Sequence, residues 1–165
     1  EDILVCSGSS FADALSASAA GKPVLLVGSS LTDEQKEYLG TLESGNYIMI
    51  GGSAVVGDGV KQECAVFGNT ERIGGSTRYE TSKLVADRFF SGDCEKVVLA
   101  YSMDYPDGLC AGVLASKRKA PLLLVNNENI VQAKAWASPV NATKCTVIGG
   151  PTFISDDAAW GVIGR

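Results

Sequence analysis

Residues 9–28, SSFADALSASAAGKPVLLVG, place an Ala- and Ser-rich segment directly before a short apolar run. The first segment predicts a helix over residues 11–20, and the apolar run predicts a buried strand over residues 23–27. Another apolar run, residues 3–6, comes just before the helix. Short apolar strands that alternate with helices are typical of a parallel sheet covered on both faces. This stretch therefore predicts an α/β fold.

The same alternation continues to residue 90. An apolar run predicts a strand over residues 47–50, and residues 70–73 are predicted as a short extended piece. Helices are predicted over residues 58–67 and 77–90. A further helix, ending at residue 42, is expected to begin at a cap supplied by either Ser30 or Thr32.

The second half of the chain repeats the first. Residues 96–127, KVVLAYSMDYPDGLCAGVLASKRKAPLLLVNN, match residues 2–29 when four extra residues are allowed in the second stretch. In this alignment Asp107 falls on Asp13. Self-similarity of this kind indicates an architecture of repeated units.

A later match extends the repeat. Residues 145–157, CTVIGGPTFISDD, match residues 47–59, YIMIGGSAVVGDG. We therefore predict two units, a first copy over residues 1–91 and a second copy over residues 92–165. The second copy lacks a counterpart of residues 71–90, so it is truncated at its C-terminal end.

The composition excludes several classes of function. The chain has 165 residues, a formal net charge of −5 and no His. The acidic balance argues against nucleic acid, which is bound through clustered Lys and Arg. The absence of His excludes Ser-His and zinc-water mechanisms. No apolar run reaches the roughly 18 residues of a membrane span.

Nucleotide motifs are also missing. No G-x-G-x-x-G sequence follows a predicted strand, so the dinucleotide fingerprint is absent. Residues 52–57 have the glycine spacing of a P-loop, but Asp58 stands where that motif needs a phosphate-binding Lys. We expect no cofactor and no metal.

Asp13 and Asp107 occupy the first helical turn after a strand in each copy. One interpretation is structural, because the helix dipole stabilises a carboxylate at this place by roughly 0.3–1 kcal/mol. The other is functional, because open α/β sheets bind ligands at the carboxyl ends of their strands. The functional interpretation predicts a small-ligand-binding or enzymatic α/β domain near these two residues.

Arg78, Tyr79 and Glu80 open a helix after two glycines. Glu80 suits a helix N-terminus, whereas the cationic Arg78 opposes the helix dipole. Arg78 is therefore predicted either to pair with a carboxylate of the neighbouring unit or to bind an anionic ligand. We expect Arg78 and Glu80 to serve assembly or ligand contact, with little effect on folding.

The cysteines show no Cys-x-x-Cys spacing, so neither a zinc ribbon nor a thioredoxin-like site is predicted. Cys6, Cys64 and Cys110 are interpreted as small buried residues. Cys94 and Cys145 each precede a strand of the second copy. A disulfide between these two is one alternative, and two free thiols are the other.

An ordered series of motifs resembles a known family. The motifs are Ser9-x-Phe11-Ala12-Asp13-Ala14-Leu15, Pro23-Val24-Leu25-Leu26, Ile50-Gly51-Gly52 and Arg72-Ile73-x-Gly75-x-x-Arg78-Tyr79-Glu80-Thr81. Together they resemble the cell-wall-binding repeat (type 2) of Gram-positive surface proteins, over nearly the whole chain and twice. The resemblance implies two tandem Rossmann-like (flavodoxin-like) repeats, with short parallel sheets covered by helices.

The resemblance also implies a function. It predicts a non-catalytic module that anchors an exported protein noncovalently to an anionic cell-wall polymer, at the cell wall or cell surface. The expected partners are that polymer and other copies of the repeat, in a pseudo-trimer or a homo-oligomer. The residues predicted to bind the polymer or to mediate assembly are Asp13, Pro23, Leu25, Leu26, Arg78, Tyr79, Glu80, Asp107, Pro121, Leu123 and Leu124.

The predicted polymer poses an electrostatic problem, because an acidic chain has no net attraction for a polyanion. Local cations are expected to supply the attraction. Arg72, Arg78, Lys22 and the run 117–119 lie near the ends of predicted strands or helices. The run 117–119 is itself predicted as a solvated loop.

Overall fold

Strands and helices alternate along residues 1–92 and 94–165, the part of the chain that a computed structural model describes. The strands are β1 (Asp2–Ser7), β2 (Val24–Val27), β3 (Gly45–Ile50), β4 (Gly68–Ile73), β5 (Lys96–Tyr101), β6 (Leu122–Val125) and β7 (Lys144–Ile148). The helices are α1 (Phe11–Ser18), α2 (Asp33–Thr41), α3 (Asp58–Cys64), α4 (Arg78–Phe89), α5 (Pro106–Arg118), α6 (Val131–Ala137) and α7 (Asp156–Val162).

The strands form two parallel sheets, one in each copy of the repeat. The first sheet has the order β2-β1-β3-β4, and the second has the order β6-β5-β7. The strand registers agree with the sequence alignment, because Leu4 pairs with Val24 in one sheet and Val98 pairs with Leu122 in the other. Apolar clusters cover both faces of the sheets. The predicted α/β fold with short parallel sheets is confirmed.

Side-chain caps explain where two of the helices begin. Thr32 accepts a hydrogen bond from the Gln35 amide, and the Gln35 side chain accepts one from the Thr32 amide. This reciprocal pair is a capping box, so Thr32 rather than Ser30 starts α2. Thr77 accepts a hydrogen bond from the Glu80 amide and starts α4 in the same way.

Helix α3 is shorter than predicted and ends at Cys64 rather than at residue 67. The Phe67 amide donates to the Cys64 carbonyl oxygen in a tight turn at 2.9 Å. The chain then enters β4 at Gly68, where an added Cβ would stand 2.2 Å from the Gly45 carbonyl oxygen. The early end of the helix therefore follows from the close approach of β4 to β3.

The two copies pack against each other along α1 and α5. Leu15 of α1 shares an apolar cluster with Ala111 of α5. Two glycines of α5 permit the short distance between the helices. A Cβ added at Gly108 would stand 2.3 Å from Leu15 Cδ1, and one added at Gly112 would stand 1.9 Å from Ser18 Oγ. Close approach brings more atoms into van der Waals contact across the junction.

We expect Gly112→Ala to lower the free energy of unfolding by about 1–3 kcal/mol, because the new methyl group overpacks the junction. The matched control is Gly59→Ala in α3, where nothing lies within 4 Å of the Cβ position. That change should instead stabilise by up to about 1 kcal/mol, since alanine is the better helix former. Urea unfolding followed by circular dichroism measures both variants, and effects of the same sign would contradict the packing argument.

Candidate functional site

Asp13 lies in the first turn of α1, at the carboxyl end of the first sheet, and is only 6% exposed. Burial raises the pKa of its carboxyl group, while the Arg78 charge and a hydrogen bond from Thr81 act in the opposite direction. Both of these partners belong to α4. The carboxylate is therefore held by the chain itself, where α1 meets α4.

Each copy places its aspartate against a glycine with positive φ. Gly51 follows β3 with a φ of 113°, and Gly149 follows β7 with a φ of 132°. A Cβ on Gly51 would stand 2.5 Å from Asp13 Oδ2, and one on Gly149 would stand 2.9 Å from Asp107 Oδ2. Glycine suits both the backbone conformation and the nearby carboxylate. The recurrence of this contact favours the structural interpretation of the two aspartates.

A cleft of about 350 Å³ opens beside Asp13. Hydrogen bonds hold its wall in place. Glu80 Oε2 accepts hydrogen bonds from the Ser76 amide and hydroxyl at 2.7 Å each. These bonds lower the pKa of the Glu80 carboxyl group. Thr81 Oγ1 accepts from the Gly75 amide at 3.1 Å. Glu80 therefore orders the loop that leads into α4.

Arg78 crosses from the first copy to the second. Its Nη1 donates to the Ser102 carbonyl oxygen at 2.6 Å, and its guanidinium carbon lies 5.5 Å from the centroid of the Phe11 ring. The sequence predicted a carboxylate of the neighbouring unit or an anionic ligand as the partner. The neighbouring unit does hold Arg78, but through a backbone carbonyl, and the carboxylate near it is Asp13 of the same copy. These contacts give Arg78 a larger part in folding than the sequence indicated.

The next residues of α4 also contact the second copy. The Tyr79 hydroxyl lies 3.0 Å from Ser102 Oγ and accepts a hydrogen bond from Asn126 Nδ2 at 3.0 Å. The Ser82 hydroxyl accepts one from the Leu124 amide of β6 at 3.3 Å. Helix α4 therefore serves both copies. Sequence reasoning missed Ser82, Ser102 and Asn126, because each is an ordinary polar residue whose partner is distant in the chain.

The two proline-plus-aliphatic strands lie in different surroundings. Pro121, Leu123 and Leu124 of the second copy are all buried. Pro23 at the start of β2 is exposed, and Leu26 is 54% exposed. The first copy thus leaves open a surface whose counterpart in the second copy is covered by α1 and α4.

Helices α1 and α5 show the complementary difference. Leu15 of α1 is 4% exposed, whereas the equivalent Leu109 of α5 is 59% exposed. Val113, one turn further along α5, is also exposed, although Ala19 at the equivalent place is buried. Asp107 lies on the same helix and is half-buried. The face that α1 uses against the second copy is therefore open on α5.

A group of cations lies at the opposite, amino edge of the sheets, where the copies meet. Lys22 follows α1, and the run 117–119 ends α5, so the prediction of a loop for this run is wrong. The two segments are close, because a Cβ added at Gly21 would stand 3.0 Å from Ser116 Oγ. We name this group the basic rim; its members are Lys22, Lys117, Arg118 and Lys119.

A groove of about 370 Å³ adjoins the basic rim, and Phe89, Ser116 and Lys119 contribute to its walls. Within residues 1–92 and 94–165, neither Lys22 nor the two rim lysines of α5 form an ion pair. Arg72 is different, because it binds Asp58 at 2.9 Å and the Gly51 carbonyl oxygen at 2.8 Å. Among the described residues the rim lysines thus have no acidic partner, whereas the charge of Arg72 is engaged.

All five cysteines are free thiols in the structure. Burial raises the pKa of the Cys6 thiol to about 12 and that of the Cys64 thiol to about 11. Cys110 is exposed on the open face of α5, so its prediction as a buried residue is wrong. Of the two alternatives for Cys94 and Cys145, the structure has the two free thiols.

Two further observations concern membranes and metals. Each helix in the described part of the chain is too short or too polar to cross a lipid bilayer. Among the same residues, no group of three or more His, Cys, Asp or Glu side chains is arranged to hold a metal ion.

The architecture, with two repeated parallel sheets joined through α4, has a counterpart among known families. A family model described as Cell wall binding domain 2 (CWB2) matches residues 2–61 and 72–159. The chain belongs to this family. The resemblance drawn from the sequence motifs is confirmed, and membership supports cell wall binding and a place at the cell surface. The boundaries of the two copies stay a prediction.

Relatives in Bacillus subtilis share the domain. The chain is 30% identical over 155 residues to N-acetylmuramoyl-L-alanine amidase LytC and 32% identical over 159 residues to a protein named amidase enhancer. These matches cover 90% and 92% of this chain, but only 31% and 21% of the relatives. The activities in their names therefore belong to much longer proteins.

Solved structures agree with the fold. Cwp6 from Clostridium difficile superposes with a TM-score of 0.82 at 26% identity, and Cwp8 from the same organism superposes with a TM-score of 0.80 at 23% identity. Each superposition covers 99% of this chain, together with 27% of Cwp6 and 29% of Cwp8. The chain is similar to one part of each of these longer proteins.

Arg78→Ala should lower the free energy of unfolding by about 2–4 kcal/mol, because it removes a charged hydrogen bond and leaves Asp13 buried without its cation. Arg88→Ala is the matched control on the same helix. Arg88 also lies over a ring, at 5.3 Å from the Phe89 centroid, but its ion pair with Glu71 is exposed. Its loss should cost less than about 1 kcal/mol. Urea unfolding compares the two, and equal small effects would show that Arg78 does not join the copies.

Proposed function

We propose that this chain is a non-catalytic module that anchors an exported protein of a Gram-positive cell by noncovalent contact with an anionic wall polymer. The observation that carries the proposal is the basic rim, which gathers four cations from both copies at one edge of an acidic chain. Family membership supports the wall as the target. The adjoining groove gives the polymer a place beside the charges.

The basic rim supplies the local attraction that the net charge lacks. A Lys ammonium is a compact charge that binds phosphate well, and an Arg guanidinium binds phosphate or carboxylate through paired donors. At 0.1 M salt, charges more than about 10 Å apart at the surface are largely screened from each other. Carboxylates beyond that distance therefore oppose a polymer at the rim only weakly, and Glu95 at the same edge is already paired with Lys144.

The surroundings of Asp13 support the non-catalytic part of the proposal. A general base must come within roughly 3 Å of the proton that it removes. The Asp13 carboxylate is instead buried against Gly51, Arg78 and Thr81. This arrangement does not support the alternative of an enzymatic or small-ligand domain at the carboxyl edge, because the Asp13 carboxylate is occupied by contacts within the chain.

We expect the double variant Lys22→Gln/Lys117→Gln to bind purified walls about tenfold more weakly at low salt and to show a smaller salt dependence, because fewer counterions are released. The matched control is Lys61→Gln/Lys134→Gln, which removes the same charge, one lysine from each copy, away from the rim. Sedimentation with intact and polymer-extracted walls measures the binding. Equal loss in both variants, or undiminished binding to extracted walls, would contradict the proposal.

We also infer that the module binds further repeats of its own kind. Leu26 lies open on β2, and Leu109 and Val113 lie open on α5. These surfaces correspond to the part of the junction where α1 packs on β6, because Leu26 is equivalent to Leu124, and Leu109 and Val113 are equivalent to Leu15 and Ala19. The contacts that α4 adds to the junction lie outside them. An interface between two different surfaces is heterologous, and it extends into a ring or a filament as units are added. Association through these halves supports the expected pseudo-trimer or homo-oligomer.

We expect the chain to self-associate as its concentration rises, with α5 of one molecule on β2 of the next. Leu26→Glu and Val113→Glu should each weaken association at least tenfold, because each would bury an unpaired charge. Val66→Glu is the control, since Val66 is exposed but belongs neither to β2 nor to α5. Sedimentation velocity measures the mass.

Cys110 provides a second readout of the same association. Its exposed thiol lies beside Leu109 on the open face of α5, so maleimide labelling should slow as the mass increases. A chain that stays monomeric at millimolar concentration, with constant labelling, would refute the inference.

A further inference from the structure

A small pocket lies at the carboxyl edge of the second sheet, away from the basic rim. Its volume is about 240 Å³, below the range of roughly 300–1,000 Å³ typical of drug-sized ligands. The rings of Tyr101 and Phe153 stack in it, with centroids 4.5 Å apart and an interplanar angle of 26°. We name it the aromatic pocket; its lining residues are Tyr101, Asn126, Asn127, Glu128, Thr152 and Phe153.

The first copy has none of these side chains at the equivalent positions. Ser7 and Val27 pair in β1 and β2 as Tyr101 and Val125 do in β5 and β6, which fixes the equivalent positions. The second copy thus has larger, more polar or aromatic residues around the same edge. In the first copy the residues equivalent to the six pocket residues are Ser7, Gly28, Ser29, Ser30, Ala54 and Val55.

Hydrogen bonds fix one wall of the pocket. Asn126 Oδ1 accepts from the amides of Glu128 and Asn129 at 2.9 and 2.8 Å. Asn126 Nδ2 donates to the Tyr79 hydroxyl of the first copy at 3.0 Å. The loop after β6 is therefore ordered by the docking of α4.

The same loop is tied to the opposite wall. Asn127 Oδ1 accepts from the Ser155 amide at 2.7 Å, and its Nδ2 donates to the Thr152 carbonyl oxygen at 3.1 Å. The side chains of Asn126 and Asn127 thus hold the walls of the pocket in place. Within the described part of the chain, the Glu128 carboxylate and the Thr152 hydroxyl have no hydrogen-bond partner, so both are available to a ligand.

We propose that the aromatic pocket binds a single neutral sugar ring of the wall polymer. Phe153 is 47% exposed, and the face of an aromatic ring is electron-rich and attracts the C–H groups of a sugar. Glu128 and Thr152 accept or exchange hydrogen bonds with sugar hydroxyls. An anionic sugar is disfavoured by the Glu128 carboxylate. The inference rests on the proposed function, and it places sugar recognition and charge recognition at opposite edges of the sheets.

The test is a titration of the whole chain, labelled with ¹⁵N, by methyl glycosides of glucose, mannose, N-acetylglucosamine and glucuronic acid. We expect at least one neutral glycoside to shift amide signals in residues 126–129 and 150–155, with a Kd on the order of 1–10 mM. The glucuronide should shift them less. No saturating shift in these residues with any neutral glycoside, or shifts centred elsewhere, would overturn the proposal.

Substitutions that introduce the equivalent residues of the first copy provide the controls. Phe153→Val introduces the equivalent residue of the first copy and should weaken binding roughly fivefold to tenfold. Glu128→Ser also introduces the residue of the first copy. It removes the carboxylate acceptor, should weaken binding, and leaves the stacked rings of Tyr101 and Phe153 intact. Trp160→Ala removes an aromatic side chain of similar exposure, 46%, outside the pocket and should change nothing. Equal affinity in all three variants would refute the pocket.

Sedimentation of the unmodified chain with walls separates this inference from the proposed function. Wall binding without any glycoside shift would refute the aromatic pocket and leave the anchoring function standing. Glycoside binding at the pocket without wall binding would refute the anchoring function and leave the sugar site standing.

Discussion

The docking of α4 on the second copy is the interaction on which the rest of the structure depends. One end of this helix packs over the buried Asp13, and its outer side donates to or accepts from Ser102, Leu124 and Asn126 of the other copy. Helix α4 thereby packs in the first copy and also covers part of the second. The buried carboxylate, the covered strand β6 and the ordered loop of the aromatic pocket all follow from it.

The secondary structure could be predicted because its signals are local. Apolar runs gave the strands, and Thr32 and Thr77 gave helix starts within a few residues. The repeat also predicted correctly that Asp13 and Asp107 take equivalent places, since both contact a glycine that follows a strand. These features depend on residues near one another in the chain, where pattern and propensity act directly.

What could not be predicted depends on contacts between distant residues. A cation opposes the dipole at a helix N-terminus, which predicted a partner for Arg78, but no local pattern indicates that this partner is the distant Ser102 carbonyl oxygen. Leu109 and Leu15 look alike in the alignment, yet one is exposed and the other buried. Burial of these equivalent residues differs because the face of α1 that carries Leu15 packs on the second copy, whereas α5 meets the first copy with another face, at Gly108 and Gly112.

The hydrogen bond from the Leu124 amide to Ser82 protects an edge strand from pairing with another chain. Strand β6 is the edge of its sheet, and an edge amide that points outward is a template for another chain. Ser82 occupies that amide and so blocks the edge. At the equivalent edge strand of the first sheet, β2, the Gln35 side chain donates to the Leu26 carbonyl oxygen, and Pro23 precedes the strand without an amide to offer. One edge strand of each sheet is thus protected against β-pairing with another chain.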